Sequence, residues 1–178
     1  MAFFKKQLAP ASAMTEVVKP LILLVDDEAD NLQVLSAILA QDYDLLLAHN
    51  GQEALALVQA LSPSQQLSLV ISDQRMPEMT GVQLCERLCD IAPNTLRIII
   101  TGYIDIDTIV DAINRASLYQ FIIKPFERRD LELLIKRAIE AYELKRTLDD
   151  YIQNLEVKVE QRTRDLEHSH QQLQDAYT

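Results

Sequence analysis

From Leu21 onward the chain alternates two kinds of segment, and this alternation constrains its fold more than any other feature. Leu21 to Val25 is a short unbroken apolar run, the pattern of a strand buried on both faces. A helical stretch follows, with Leu32, Leu35 and Leu39 spaced i, i+3, i+7 and the stripe widened by Val34 and Ile38. Leu45 to Ala48 reads as a second, weaker strand. After Gly51, Ala54, Leu57, Val58 and Leu61 mark a second amphipathic helix that stops near Pro63. Leu67 to Ser72 and Leu96 to Ile100 are the third and fourth strands, with a helix over Gly81 to Ile91 between them. Ile106, Ile109, Val110 and Ile113 predict a fourth helix, and Tyr119 to Ile123 a fifth strand rich in aromatic and β-branched residues. Five such βα units in about 125 residues predict a parallel sheet covered on both faces by right-handed crossovers.

The fifth helix has no evident stop. From Leu131 to the C-terminus there is neither Pro nor Gly, and a heptad register fits the stretch. Its a positions are Ala138, Lys145, Ile152, Val159, Leu166 and Leu173; its d positions are Leu134, Ala141, Leu148, Leu155, Arg162, Ser169 and Ala176. At about 1.5 Å per residue this makes a rod of roughly 75 Å, too long to bury its stripe on so small a domain. A partner helix is therefore expected, and a homodimer through this segment. Lys145, Arg162 and Ser169 interrupt the seam and weaken it. The division expected is an N-terminal arm at 1–19, a globular domain at 20–141 and a coiled coil at 142–178.

A net charge of −10 and a pI near 4.7 argue against a nucleic-acid-binding surface, which needs a basic excess. The two cysteines, Cys85 and Cys89, share one side of the third helix and lack further ligands at metal spacing, so they read as small buried hydrophobes in a reducing compartment. No run approaches the roughly 20 apolar residues of a membrane span. The first 19 residues hold no secretory h-region, so the expectation is a cytoplasmic protein with no membrane insertion.

In an open α/β sheet ligands bind outside the carboxyl ends of the strands. Here the first strand ends at Asp26-Asp27, the third at Asp73, the fourth at Thr101 and the fifth at Lys124-Pro125. Singly, each Asp reads as a helix cap or turn residue. Together they describe carboxylates whose repulsion a divalent cation would relieve. Mg²⁺ suits them, being a hard ion that needs only one or two carboxylates plus water and phosphate. A carboxylate beside it can attack phosphorus and form an acyl phosphate. Lys124 and Thr101 would each take a phosphoryl oxygen, and Gly102 leaves the approach open.

The strings LILLVDDE, VISDQRMPEMTG, IIITGY and FIIKPF, in that order, resemble the response-regulator receiver domain of bacterial two-component systems over about Lys19 to Ala141. The resemblance implies a flavodoxin-like doubly wound five-stranded sheet of order 2-1-3-4-5, one of the common strand orders of doubly wound sheets. It assigns Asp73 as phosphoacceptor, with Asp26, Asp27 and the backbone carbonyl of Arg75 as further Mg²⁺ ligands. It also assigns Thr101 as the switch hydroxyl, Lys124 as the phosphate contact and Phe121 as the aromatic that turns inward, and it implies a cis Lys124-Pro125 bond. A sensor histidine kinase or phosphotransfer protein is the implied donor. Arg75 and Tyr103 are bulkier than their counterparts in well-known members and bear on the lifetime of the phosphoryl group.

Other readings fit less well. A haloacid-dehalogenase-type hydrolase places its nucleophile after the first strand, not the third. A pseudo-receiver acting only as an interaction module usually lacks one of the acidic pair, the acceptor or the lysine, and all are present here. His168 and His170 lack the flanking acidic residue and Pro of a kinase phosphoacceptor, and read as solvated helix residues. The segment itself is not expected to be an enzyme. Its output domain would lie beyond Thr178, with this chain a fragment of a longer protein.

Overall fold

The structure, a computed structural model, describes residues 19–102 and 115–176. The expected fourth helix, Tyr103 and all but the last residue of the N-terminal arm lie outside them. Five strands, β1 (Leu21–Val25), β2 (Asp44–Ala48), β3 (Leu67–Asp73), β4 (Leu96–Thr101) and β5 (Gln120–Ile123), form one parallel sheet of order β2-β1-β3-β4-β5. Helices α1 (Ala29–Leu39), α2 (Gly51–Gln59) and α3 (Gly81–Ile91) and a long helix, Arg128–Ala176, complete the described residues' main elements. This is the flavodoxin-like fold.

Strand alternation divides the core between two faces. Ile22, Leu24, Leu69, Ile71, Ile98 and Ile100 point one way, onto Leu32, Leu35 and Leu39 of α1 and Leu131, Ile135, Ala138 and Ile139 of the long helix. Leu23, Val25 and Val70 point the other way, onto α2 and α3 through Ala54, Leu55, Val58, Leu84 and Leu88. Fully burying one such aliphatic side chain stabilises by about 1.5–3 kcal/mol, so the two-sided sheet is the main source of stability. Val34 is a correction to the α1 stripe: it is 57 % exposed, because Leu32, Leu35 and Leu39 already fill the face toward the sheet.

Caps end the helices where the pattern changes. Asn50 accepts the Glu53 amide at 2.8 Å before α2, while the Glu53 carboxylate accepts from the His49 amide. Thr80 and Gln83 form a reciprocal capping box before α3. At the other end of α3, the buried Arg97 of β4 donates to the carbonyls of Leu88 at 3.2 Å and Ala92 at 2.8 Å. A cation there satisfies open carbonyls and opposes the negative end of the helix dipole. Cys85 is fully buried, and burial pushes its thiol up to about 12, so it packs as a hydrophobe. Cys89 is half-buried with its thiol toward the Ala116 carbonyl.

The long helix has two parts with different neighbours. Leu131, Ile135, Ala138, Ile139 and Tyr142 are buried on the domain. Beyond Tyr142 the helix leaves the sheet, and Leu148, Ile152, Leu155, Val159 and Leu166 stand between 43 % and 71 % exposed. Ala138 is therefore withdrawn from the intermolecular seam that its heptad position suggests, because the domain's own core already covers it. At 3.6 residues per turn, the exposed stripe is rotated from the buried one by roughly a third of a turn. The side chains of Leu173 and Ala176 lie outside the described residues. Among those residues no helix is long and apolar enough to cross a membrane.

Candidate functional site

Strand register brings the polar residues to one edge. Val25 is level with Ser72, Asp73 with Ile100, and Thr101 with Ile123. Three backbone bonds carry the ladders past the strand ends: the amide of Asp26 donates to Ala48 at 3.2 Å, that of Gln74 to Ile100 at 3.0 Å, and that of Lys124 to Thr101 at 2.8 Å. Asp26, Asp27, Asp73, Arg75, Thr101 and Lys124 all line one cleft of about 320 Å³, which Glu28, Asn31 and Gly102 complete.

Lys124 is the link between the two inner carboxylates. Its ammonium lies 2.6 Å from Asp73 Oδ1 and 3.5 Å from Asp26 Oδ2. Burial pulls that ammonium toward its neutral form. The hydrogen bond to Asp73 and the charges of Asp73 and Asp26 outweigh this, so its pKa stands above the ordinary lysine value. Asp73 Oδ2 accepts the Arg75 amide at 2.6 Å, so each Asp73 oxygen is held by a different donor. Asp26 is 3 % exposed and would be costly to bury without partners. Its Oδ1 accepts the Glu28 amide at 2.9 Å and the Asn31 side chain at 3.0 Å.

Thr101 is buried at the end of β4. Phe121 is half-buried on Cys85, Ile99 and Ala116. Since Ile99 pairs with Phe121 and Thr101 with Ile123, Thr101 and Phe121 belong to the same face of the sheet. Asp27 lines the cleft from an exposed position. Among the described residues no three His, Cys, Asp or Glu side chains gather closely enough to enclose a metal. The donor set still fits Mg²⁺, which takes hard oxygens and needs only one or two carboxylates besides water and phosphate. Asp26 and Asp73 would supply those, with Asp27 and Arg75 also lining the cleft. The Lys124-Pro125 peptide bond is cis.

Three contributors to the site were not singled out from sequence. Asn31 stands five residues beyond Asp26, in the first turn of α1, and reaches back to it. Gln74 ties the Asp73 loop to α3: its side-chain oxygen accepts the Val82 amide at 3.1 Å and its carbonyl the Gly81 amide at 3.1 Å. Gly81 is needed for the approach itself, since a Cβ there would lie 2.3 Å from the Asp73 carbonyl oxygen. A small residue eight positions after a strand-end Asp is the signal that could have marked it.

The fold thus carries an open polar cleft at the carboxyl ends of its strands rather than an enclosed pocket. The chain belongs to the response regulator receiver domain family, whose model matches residues 22–136. Similar curated proteins include the hydrogenase transcriptional regulatory protein HoxA of Bradyrhizobium diazoefficiens, 32 % identical over 125 residues, covering 70 % of this chain and 25 % of that protein. The chain thus spans about a quarter of the length of such relatives. Among solved structures, a signal receiver domain of an HD domain-containing protein from Pseudomonas fluorescens is 35 % identical with a TM-score of 0.65, covering 70 % of this chain and 98 % of that one. An adenylate cyclase structure from Rhodopirellula baltica is 29 % identical with a TM-score of 0.70, covering 76 % and 98 %.

Proposed function

We propose that the chain is a two-component receiver that accepts a phosphoryl group on Asp73 from a sensor histidine kinase or phosphotransfer protein. The observation that carries this reading is the Lys124 ammonium, bridging Asp73 at 2.6 Å and the buried Asp26 at 3.5 Å. An oxygen of Asp73 attacks phosphorus, and the bond from phosphorus to the donor's nitrogen, or to the acetate oxygen of a small phosphodonor, breaks as the new P–O bond forms. Asp26, Asp27, Asp73 and the Arg75 carbonyl would hold Mg²⁺, which would supply positive charge to offset that of the phosphoryl group. Lys124 turns from Asp73 to a phosphoryl oxygen, keeping its charge beside the transferred group. The Thr101 hydroxyl takes another oxygen, and Phe121 follows into the space behind it.

In this reading residues 20–141 are the receiver and residues 142–178 a dimerising coiled coil in a cytoplasmic homodimer, acting through neither direct nucleic-acid contact nor membrane insertion. The long helix relays the change to an output domain, consistent with relatives of which this chain matches only 25 %. The chain's own chemistry is limited to gaining and losing its phosphoryl group.

Incubation with acetyl phosphate should add one acid-labile phosphate by intact mass, only with Mg²⁺ present. Asp73→Asn should abolish it, because an amide is a poor nucleophile. Equal labelling of the Asn variant would remove Asp73 from the role. No labelling of the wild type by either a kinase or a small donor would favour a pseudo-receiver.

A further inference from the structure

The carboxylate of Asp26 has two unlike oxygens, distinguished by the Glu28 amide and Lys124, and one side chain outside the acidic set, Asn31, holds both. Oδ1 is saturated, accepting the Glu28 amide at 2.9 Å and Asn31 Nδ2 at 3.0 Å. Oδ2 has Asn31 Nδ2 at 3.1 Å and Lys124 Nζ only at 3.5 Å, on the side toward Asp73. Asn31 Nδ2 also lies 3.1 Å from Glu28 Oε2. An amide nitrogen carries two hydrogens, so one is shared between the two Asp26 oxygens and the other goes to Glu28. Three carboxylate oxygens around that atom leave no alternative orientation, since an amide oxygen there would face only acceptors.

We propose that Asn31 is a positioning residue for the cleft: clamped by Glu28, it fixes the plane of the buried Asp26 carboxylate so that Oδ2 is the oxygen offered to a divalent cation. The inference rests on the receiver reading above. Two features at the start of α1 act together. The Glu28 amide draws Oδ1 into the helix start, and the Asn31 amide, bridging both oxygens, opposes tilting of the carboxylate plane about the Asp26 side-chain torsion. Without Asn31, a carboxylate only 3 % exposed keeps a single firm donor, and Lys124 can draw it toward Asp73. Metal sites lose about 10- to 100-fold in affinity when groups that orient a ligand are removed.

The test is calorimetric titration of the full chain with MgCl₂ alone, for wild type and Asn31→Leu, which keeps the volume and loses the donor. Mg²⁺ affinity should fall about tenfold, and circular dichroism should show an intact fold. In acetyl phosphate labelling the Mg²⁺ concentration for half-maximal rate should rise by a similar factor. The rate at saturating Mg²⁺ should return to within about twofold of wild type, a split that simple misfolding would not produce. Asn31→Ala carries the same expectations if the leucine variant does not fold. Unchanged Mg²⁺ affinity in a folded variant, or a labelling rate that saturating Mg²⁺ does not restore, overturns the inference while leaving the receiver reading intact. A wild type that takes neither Mg²⁺ nor label fails the receiver reading, and the inference with it.

Discussion

Lys124 Nζ lies 2.6 Å from Asp73 Oδ1 although their strands, β5 and β3, are not neighbours; the side chain reaches across the end of β4. The contact is possible because β4 ends level with both.

The raised pKa of Lys124 has a defined sign in stability. The folded value exceeds the unfolded value near 10.5, so the contribution is fully present below that pH and is lost as pH rises through the folded value. Lys124→Met lacks it. Denaturant unfolding should show a stability gap between the two proteins that is constant to about pH 10 and narrows above it. Tyr43 and Tyr142, whose hydroxyls burial pushes up, titrate in both and cancel in the difference. A gap that widens above that pH would mean the ammonium is not stabilised in the fold.

Gly81 and Gly51 should differ in what they tolerate. A Cβ on Gly81 meets the Asp73 backbone at 2.3 Å, and main chain at a strand end cannot move aside. Gly81→Ala should cost about 1–3 kcal/mol by overpacking and should slow labelling of Asp73 as well. At Gly51 the nearest atom is Met79 Sδ at 2.5 Å, on a flexible side chain. Gly51→Ala should cost less and leave labelling near wild type. Thermal melts and the labelling assay read both, and equal losses at the two positions would show that the nature of the neighbouring atom does not matter.

The exposed Leu148, Ile152, Leu155, Val159 and Leu166 make a dimer the expected state of the full chain at micromolar concentration. Light scattering checks it directly. Truncation after Arg146 keeps Tyr142, the last buried residue of the helix among those described, and should yield a folded monomer. A full-length monomer would leave the stripe without its expected partner.

If phosphorylation is transmitted through the long helix, occupying Asp73 with beryllofluoride should change the distance between spin labels at Gln161 of the two chains. Gln161 is exposed and belongs to neither stripe. The bias expected is about 1–3 kcal/mol between two arrangements. An unaltered distance distribution at full occupancy would place the signal elsewhere.

Much of this was legible because each relevant rule is local. Short apolar runs and period-3.6 patterns located the described elements to within a few residues, and strand ends pointed to Asp26, Asp73, Thr101 and Lys124. The strand order came from resemblance, since periodicity carries no information about which strands are neighbours. Val34 misled because an apolar residue beside a stripe looks the same whether or not the stripe is already full. Arg97 and Asn31 gave no sign, since their partners, the α3 carbonyls and a buried carboxylate, are defined only by the folded chain. Ala138 shows the limit of a heptad: the pattern marks an apolar position but not whether its own domain or a second chain covers it.

The long helix is first a wall of the core and then an exposed rod; if it serves as the proposed linker, it acts as a phase-keeping shaft. Its azimuth is set by Leu131, Ile135, Ala138, Ile139 and Tyr142, and every residue beyond inherits that angle at about 100° per step. Removing seven residues after Arg146 would nearly preserve the bearing of whatever follows, whereas removing two or five would turn it to another side. On the proposed relay, linker length should be restricted to a few permitted values, and two receivers of this design should exchange outputs only when their rods agree in phase.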